Sequence, residues 1–198
     1  MKLIAFAGRA GSGKNTAARG LSAHYETSEL AMADPLYDAL GALIGLSPFD
    51  DNDLRTLCED RDFKRAAHKA LGGLSPREAL QQLGDWVRSS LGQDFLLRRA
   101  EERLAILEDF QFQVDLAVVT DVRTEREAAW VREHGGLLIH VSRADQSQGT
   151  GEDVPAHSTE NPLTLAQGDA YVFNNGTVED LHAAVHQVVL CWAYGVAA

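Results

Sequence analysis

A glycine-rich motif near the N-terminus is the strongest chemical signal in the sequence. Residues 8–14 read Gly-Arg-Ala-Gly-Ser-Gly-Lys and fit GxxxxGK, a pattern typical of a loop that binds nucleotide phosphates when it joins a strand to a helix. Inward-turned backbone N–H groups, the dipole of the following helix and a lysine ammonium would hold the β- and γ-phosphates. A structural glycine turn is the alternative. The expected nucleotide-binding residues are Gly8, Arg9, Gly11, Ser12, Gly13, Lys14, Asn15 and Thr16, together with Arg143 further along the chain.

The position after the lysine departs from the usual motif. It normally carries Ser or Thr, whose hydroxyl binds Mg²⁺, whereas here Asn15 occupies it and Thr16 follows. An amide oxygen can ligate Mg²⁺ or hold one of its waters. Asp121, at the end of a predicted strand, is the second candidate: it could hold Mg²⁺ through water or orient Arg123, and its alternative role is to cap a helix.

One predicted helix carries several possible substrate contacts. Ser75 and the glutamate three residues later predict a capping box, which places Arg77 at the second helical position beside N–H groups that could bind a phosphate. Arg88 follows about three turns later on a similar face. Solvated arginines, with a surface salt bridge at Arg88, are the alternatives. Gln81 and Trp86 could hydrogen-bond and stack on a base, although Trp86 could equally belong to a core.

If a nucleotide bound by this loop were to pass a phosphoryl group to a second phosphate, the site would need positioned cations rather than a general base, because a phosphate acceptor is already a nucleophile. Lys14, Arg123 and Arg143 are the catalytic cations that the sequence offers, with Asp121 as the acid. Arg123 and Glu127 are four residues apart, so simple helix support competes with substrate contact. His157 could contact a nucleotide or be an ordinary loop histidine.

The elements that must position these residues alternate between strand and helix, starting with a strand. Short apolar runs predict strands over 3–7, 28–33, 116–119, 137–141 and 171–173. Helical spacing and caps predict helices over 13–22, 36–44, 75–91, 95–107, 125–134 and 178–194, with further helical pieces in 47–73. This alternation favours an α/β fold with a parallel sheet, organised as one domain over 1–198.

The net charge and the cysteine spacing exclude some kinds of partner and site. The chain has 198 residues and a net charge of −11, and all its Lys and Arg residues lie at or before Arg143. This excess of negative charge argues against duplex nucleic acid as a partner, because binding to the phosphate backbone needs a basic surface. Cys58 and Cys191 have no metal-ligand spacing and are expected to be free thiols. We see no signal peptide, and the longest apolar stretch is too interrupted to span a membrane, so a cytoplasmic, soluble protein is expected.

Beyond the loop, a longer set of segments resembles the phage-type deoxynucleoside monophosphate kinases. They are Ser12–Thr16, Ala33–Leu36, Arg77-Glu78 with Leu80-Gln81 and Leu83-Gly84, Arg88, Asp121–Arg123 with Glu127, Gly135-Gly136, Val141–Arg143, and His157 with Glu160. These segments run in the family's order from residue 1 to about residue 160. The loop is generic, whereas the Asp-Val-Arg segment and the downstream Arg, His and Glu are more specific.

The resemblance implies transfer of a phosphoryl group from ATP to a deoxynucleoside monophosphate with Mg²⁺. It implies a P-loop three-layer sandwich with a helical monophosphate-binding insertion within about 35–110 and a lid over about 144–168. The acceptor-binding residues that it implies are Asp34, Arg77, Gln81, Trp86, Arg88, Asp121, Arg123, Glu127, His157 and Glu160. A homodimer is compatible with it.

Two other functions stay open at this stage. One is another small-molecule kinase of this fold, resembling dephospho-coenzyme A kinase. The other is a switch protein that binds ATP without an acceptor. An arginine-rich middle segment followed by a lid favours the kinases, because a switch needs no second phosphate site.

Overall fold

A computed structural model describes residues 1–47, 53–109, 114–144 and 163–195. The chain divides into two compact units, one formed by Met1–Ala31 with Arg103–Ala198 and the other by Met32–Glu102. The second unit overlaps the predicted insertion. His157, Glu160 and most of the predicted lid lie outside the described residues.

The elements follow the predicted alternation of strands and helices. The strands are β1 Lys2–Ala7, β2 Thr27–Leu30, β3 Leu116–Val122, β4 Leu137–Ser142 and β5 Ala170–Phe173. The helices are α1 Lys14–Leu21, α2 Asp34–Leu43, α3 Leu54–Leu57, α4 Arg61–Arg65, α5 Pro76–Ser90, α6 Phe95–Asp109, α7 Glu125–Glu133 and α8 Val178–Tyr194, with a 3-10 turn at Lys69–Leu71.

The first unit is built on a five-stranded sheet in the order β2-β3-β1-β4-β5. Every neighbouring pair is parallel, which confirms the predicted α/β class. Ile4 and Phe6 point to the face that α1 and α8 cover, and both are fully buried. Helix α7 packs against β1 and β4. Since strand side chains alternate between faces, buried Leu3 and Ala5 belong to the opposite face, so the sheet is flanked by helices on both sides.

The terminal helix α8 begins and ends where its sequence predicts. The Thr177 hydroxyl accepts from the Asp180 N–H, and the Asp180 carboxylate accepts from the Thr177 N–H, which is a capping box. Gly195 follows the helix with a φ of 66°, a left-handed conformation that glycine adopts without a Cβ penalty. Leu181, Val185 and Val189 are buried at four-residue spacing, which is the face that packs toward the sheet.

The second unit contains helices α2 to α5 and the first part of α6. Its core consists of Leu36, Leu40, Leu54, Cys58, Ala79, Leu80, Val87 and Leu96. The predicted capping box at the start of α5 is confirmed, because Ser75 and Glu78 exchange hydrogen bonds between side chain and backbone. This exchange satisfies the backbone N–H groups of Ser75 and Glu78 and determines where the helix begins.

Two element boundaries differ from the prediction. The second strand stops at Leu30 rather than residue 33, and α2 begins at Asp34 because Pro35 fits the first helical turn, where its missing N–H costs nothing. The third strand is longer than its predicted apolar run and extends to Val122, so Asp121 lies next to its last residue, at the strand end where it was expected. Both thiols, Cys58 and Cys191, are free as expected. Among the helices of the described ranges, none has the length and apolar character to cross a membrane.

Candidate functional site

The carboxyl ends of four strands meet at one edge of the sheet. Ala7 of β1 lies opposite Val122 of β3 and His140 of β4, and Ser142 of β4 lies opposite Phe173 of β5. The segments leaving this edge begin at Gly8, Arg123, Arg143 and Asn174. The central strand β1 has β3 on one side and β4 on the other, so the strand order reverses at this point while the strands stay parallel. Open α/β sheets bind ligands at such a switch in strand order.

The loop from Gly8 to Gly13 has a backbone that only glycines permit at its two ends. Gly8 has a φ of 141° and Gly13 a φ of 103°. A Cβ on Gly8 would overlap the Val141 carbonyl, and a Cβ on Gly13 would overlap the side-chain amide of Asn174. Between them, the Ser12 N–H donates to the Arg9 carbonyl at 3.1 Å and closes a turn. The motif therefore folds as the tight strand-to-helix loop that its spacing predicts.

The lysine of the motif lies over this loop. The Lys14 ammonium donates to the Gly8 carbonyl at 2.7 Å and to the Arg9 carbonyl at 3.0 Å. Helix α1 starts at this lysine, and among the described residues no side chain caps it. The first N–H groups of a helix have no intrahelical acceptors. The loop thus combines a mobile cation with the positive end of a helix, which suits an anion.

Ser12 adds an observation that also fits a bound anion. It is fully buried, and within the described part of the chain its hydroxyl has no hydrogen-bond partner. Buried hydroxyls normally have one, because leaving a polar group unsatisfied costs about 1–3 kcal/mol. An oxygen-rich ligand in the loop would supply the acceptor.

At the end of β3, the structure separates the predicted roles of Arg123 and Glu127. Glu127 lies in the first turn of α7 and its carboxylate accepts from the N–H groups of Arg123, at 2.7 Å, and Thr124, at 3.0 Å. The alternative role, support between the two side chains within one helix, does not apply here, because α7 starts after Thr124 and Arg123 precedes it. The Arg123 side chain is exposed at the binding edge of the sheet.

The electrostatics of this corner are acidic. Burial raises the pKa of the Glu127 carboxyl, the nearby Asp121 carboxylate raises it further, and the two backbone N–H groups act in the opposite direction. Asp121 near the end of β3 and Glu127 in the first turn of α7 are neighbouring acids, and together they create a negative potential that favours a cation. Asp121 is half-buried at this point.

Oxygen donors for a divalent metal are present, though few. The amide of Asn15 is exposed at the start of α1, and Asp121 contributes a carboxylate from β3. Across residues 1–47, 53–109, 114–144 and 163–195, no three His, Cys, Asp or Glu side chains group as a metal site. This donor set fits Mg²⁺, which binds through one or two protein oxygens and takes the rest from water and phosphate.

Arg143 follows β4 directly and is exposed. The next residue, Ala144, donates its N–H to the side-chain oxygen of Asn175 at 2.9 Å. Arg143 is therefore placed at the binding edge with its backbone tied to the segment after β5. Sequence reasoning did not single out Asn174 or Asn175, although an Asn-Asn-Gly sequence after a strand is a typical turn signal.

The second unit presents part of the predicted acceptor set on helix α5. Arg77, Gln81 and Arg88 share one side of the helix and are half-buried. The Arg88 guanidinium forms an ion pair with Asp85 at 2.9 Å, the surface salt bridge that was its alternative role. Trp86 is 55% exposed, so it is not a core residue. It lies nine residues after Arg77, about half a turn away round the helix, so α5 does not bring it beside Gln81.

Asp34 has a partner that the sequence did not reveal. It is buried at the first position of α2 and forms an ion pair with Arg55 of α3. The contact joins two helices of the second unit and holds the Arg55 guanidinium at a fixed place. No local pattern predicts this pairing, since the two residues are twenty-one positions apart.

The histidines of α8 take structural positions. His182 bonds to the Thr16 carbonyl of α1 at 2.9 Å, and its ring occupies the space where a Cβ on Gly20 would be. The His186 ring stacks on His24 at 3.8 Å. These contacts pack α8 against α1 and the residues that follow α1.

Comparisons with known proteins show the family of this chain. The family described as deoxynucleotide monophosphate kinase matches residues 46–185, more than half of the chain. The chain belongs to the deoxynucleotide monophosphate kinase family. A protein of Acanthamoeba polyphaga mimivirus carrying the same family name is 29% identical over 204 residues, with 96% of each chain covered.

Two phage proteins named deoxynucleotide monophosphate kinase are also similar. The enzyme of Enterobacteria phage T4 is 23% identical over 239 residues, covering 93% of this chain and 97% of that one. The enzyme of Escherichia phage RB69 is 35% identical over 75 residues, covering 38% of this chain and 29% of that one. The resemblance inferred from the motifs is confirmed, and the protein is a phosphotransferase with small-molecule substrates.

Proposed function

We propose that this kinase transfers the γ-phosphoryl group of ATP to a deoxynucleoside monophosphate, giving the deoxynucleoside diphosphate and ADP, with Mg²⁺. The observation that carries the proposal is the meeting of the phosphate loop, Asp121, Arg123 and Arg143 at one edge of the sheet. Membership of the family supports the acceptor class.

The loop would bind the donor. Its glycines at positive φ leave room for backbone N–H groups to approach the β-phosphate, and the buried Ser12 hydroxyl could donate a hydrogen bond to the ligand. Lys14 would exchange the carbonyls of Gly8 and Arg9 for β- and γ-phosphate oxygens. This exchange costs little, because a lysine ammonium is one rotatable group with three donors.

Transfer of the phosphoryl group requires positive charge around the moving group and alignment of the two phosphates. An oxygen of the acceptor phosphate attacks the γ-phosphorus while the bond from the γ-phosphorus to the bridging oxygen breaks, and ADP leaves with that oxygen. Lys14, Arg123 and Arg143 would stabilise the spread negative charge, and no general base is needed because the acceptor oxygen is already ionised. Bound Mg²⁺, held by Asn15 and Asp121 directly or through water, would neutralise charge on the phosphates.

The acceptor site is proposed on the residues that the family resemblance implies. They are Asp34, Arg77, Gln81, Trp86, Arg88, Asp121, Arg123, Glu127, His157 and Glu160. Of these, Glu127 acts on backbone N–H groups of its own segment, and Asp34 acts on Arg55. Their contribution would therefore be to hold neighbouring groups in position.

The test is coupled ADP release with a panel of deoxynucleoside monophosphates, ribonucleoside monophosphates and dephospho-coenzyme A. Turnover with at least one deoxynucleoside monophosphate is expected, and Lys14→Ala should abolish it without loss of folding. Turnover with dephospho-coenzyme A alone would favour the related small-molecule kinase. ATP binding without turnover on any acceptor would favour a switch protein and contradict the proposal.

A further inference from the structure

The segment after β5 forms a hydrogen bond with the phosphate loop. Asn174 follows β5, and its backbone N–H donates to the Ser142 carbonyl at 2.7 Å, which continues the pairing of β5 with β4. Its side-chain amide donates to the Ser12 carbonyl at 2.9 Å, across 162 positions of sequence. One residue therefore joins the end of the sheet to the middle of the loop.

The contact between the Asn174 amide and the Ser12 carbonyl restricts which residue can occupy position 13. A Cβ on Gly13 would overlap the Asn174 amide nitrogen, so the third glycine of the motif leaves room for this side chain as well as for a left-handed φ. A methyl group of Leu181 in α8 lies 3.5 Å from that Cβ position. Residues from the C-terminal part of the chain therefore pack beside the Ser12–Gly13 peptide.

The orientation of this peptide has a consequence for the loop. In a planar trans peptide the carbonyl and the N–H point in opposite directions. Because the Ser12 carbonyl points to Asn174, the Gly13 N–H points away from Asn174. If the peptide flipped, a carbonyl oxygen would face the side where the N–H now stands, which would repel an anion rather than bind it.

We propose that Asn174 is a positioning residue for the phosphate loop: its side-chain amide fixes the Ser12–Gly13 peptide in the orientation that turns the Gly13 N–H toward the donor phosphates. The role rests on the proposed function, because it assumes that the loop binds ATP. Asn174 need not touch the nucleotide to act in this way. It lowers the entropy that the loop would otherwise lose on binding.

The test measures binding of a ribose-labelled fluorescent ATP without any acceptor. Asn174→Ala removes the amide, and Asn174→Asp keeps the size but places an oxygen against the Ser12 carbonyl. One hydrogen bond contributes about 1 kcal/mol, so roughly five- to tenfold weaker ATP binding is expected for alanine and a larger loss for aspartate. In turnover, KM for ATP should rise while KM for the acceptor changes less than about twofold.

Thr177→Ala is the matched control. It removes the α8 capping box three residues later and lowers stability by about 1 kcal/mol without a contact to the loop. It should leave ATP affinity unchanged, which separates a loop effect from general destabilisation. Unfolding curves show whether each variant is folded. If Asn174→Ala does not fold, the ATP affinity of Asn174→Asp tests the positioning role.

The outcomes are distinct. If the wild-type protein binds ATP and both Asn174 variants bind it equally well, the positioning role is wrong while the proposed function stands. If Thr177→Ala weakens ATP binding as much as Asn174→Ala, the role is also wrong. If the wild-type protein binds no ATP, the proposed function itself is wrong.

Discussion

The Arg132 guanidinium holds both carboxylate oxygens of Asp169, at 3.0 and 2.7 Å, between helix α7 and the residues before β5. The Asp169 side chain is 1% exposed, and the same carboxylate accepts from the Ala166 N–H and contacts His140 of β4 at 2.9 Å. This cluster ties the segment that returns to the sheet after residue 163 to α7 and β4.

Removing the acid from this cluster should destabilise the protein. Asp169→Ala removes the carboxylate from the half-buried Arg132 guanidinium, and breaking an ion pair whose acid is buried costs about 3 kcal/mol. For a chain of this size that corresponds to a fall in Tm of roughly 6–12 °C, measurable by thermal unfolding. Glu102→Gln, which breaks the exposed pair with Arg99, is the control and should change Tm by less than about 2 °C. Equal effects of the two variants would contradict the structural role of the cluster.

The acid dependence of stability should change with the same residue. Burial raises the pKa of Asp169, but the hydrogen bonds from Arg132, Ala166 and His140 outweigh it, so the pKa lies below its ordinary value of 3.8. The contribution of the ionised carboxyl is therefore present above pH 3.8 and is lost as the pH falls through the lower folded-state pKa. Asp169→Asn should show a shallower loss of unfolding free energy between pH 5 and about pH 3 in urea titrations. Parallel curves for the two proteins would show that Asp169 does not titrate in this way.

Arg143 should act on the chemical step. Its exposed guanidinium follows β4 at the binding edge, and the segment beyond it supplies no Lys or Arg. Arg143→Ala should lower kcat at least about tenfold, because charge on the transferred group loses a stabilising cation. Steady-state kinetics with saturating ATP and acceptor measure this. Arg19→Ala, which removes the same charge from the last turn of α1, should leave kcat within about twofold; an unchanged kcat for Arg143→Ala would remove that residue from the site.

Asp121 should act through the metal. Asp121→Asn keeps the size of the side chain but removes its charge, so the Mg²⁺ concentration for half-maximal rate should rise roughly tenfold, since charged oxygen ligands bind Mg²⁺ much better than amides. Titrating the reaction with Mg²⁺ at fixed ATP tests this. Glu133→Gln, at the far end of α7, removes the same charge and should leave the Mg²⁺ requirement unchanged. A normal Mg²⁺ titration of Asp121→Asn would restrict Asp121 to orienting its neighbours.

Helix starts, glycine turns and the phosphate loop follow from the sequence because they depend on short-range interactions. Ser75 with Glu78 and Thr177 with Asp180 are capping boxes in which both partners are three residues apart, so the chain needs no tertiary contact to specify them. The GxxxxGK loop is likewise local. The absence of fixed positive charge beyond Arg143 is a property of composition alone.

The contacts that position the site depend on the tertiary structure. The strand order sets β5 beside β4, and only that arrangement brings Asn174 to Ser12 and Asp169 to Arg132. Glu127 is a further case in which spacing did not predict the contact. Its spacing from Arg123 allowed a side-chain pair, but because α7 starts after Thr124, its carboxylate accepts from backbone N–H groups instead. The sequence alone determined a glycine-rich strand-to-helix loop, of the residue types that predict phosphate binding, in an acidic chain. Only the fold decided which distant residues support that loop, because pairing between distant segments follows from how the elements pack and not from any pattern along the chain.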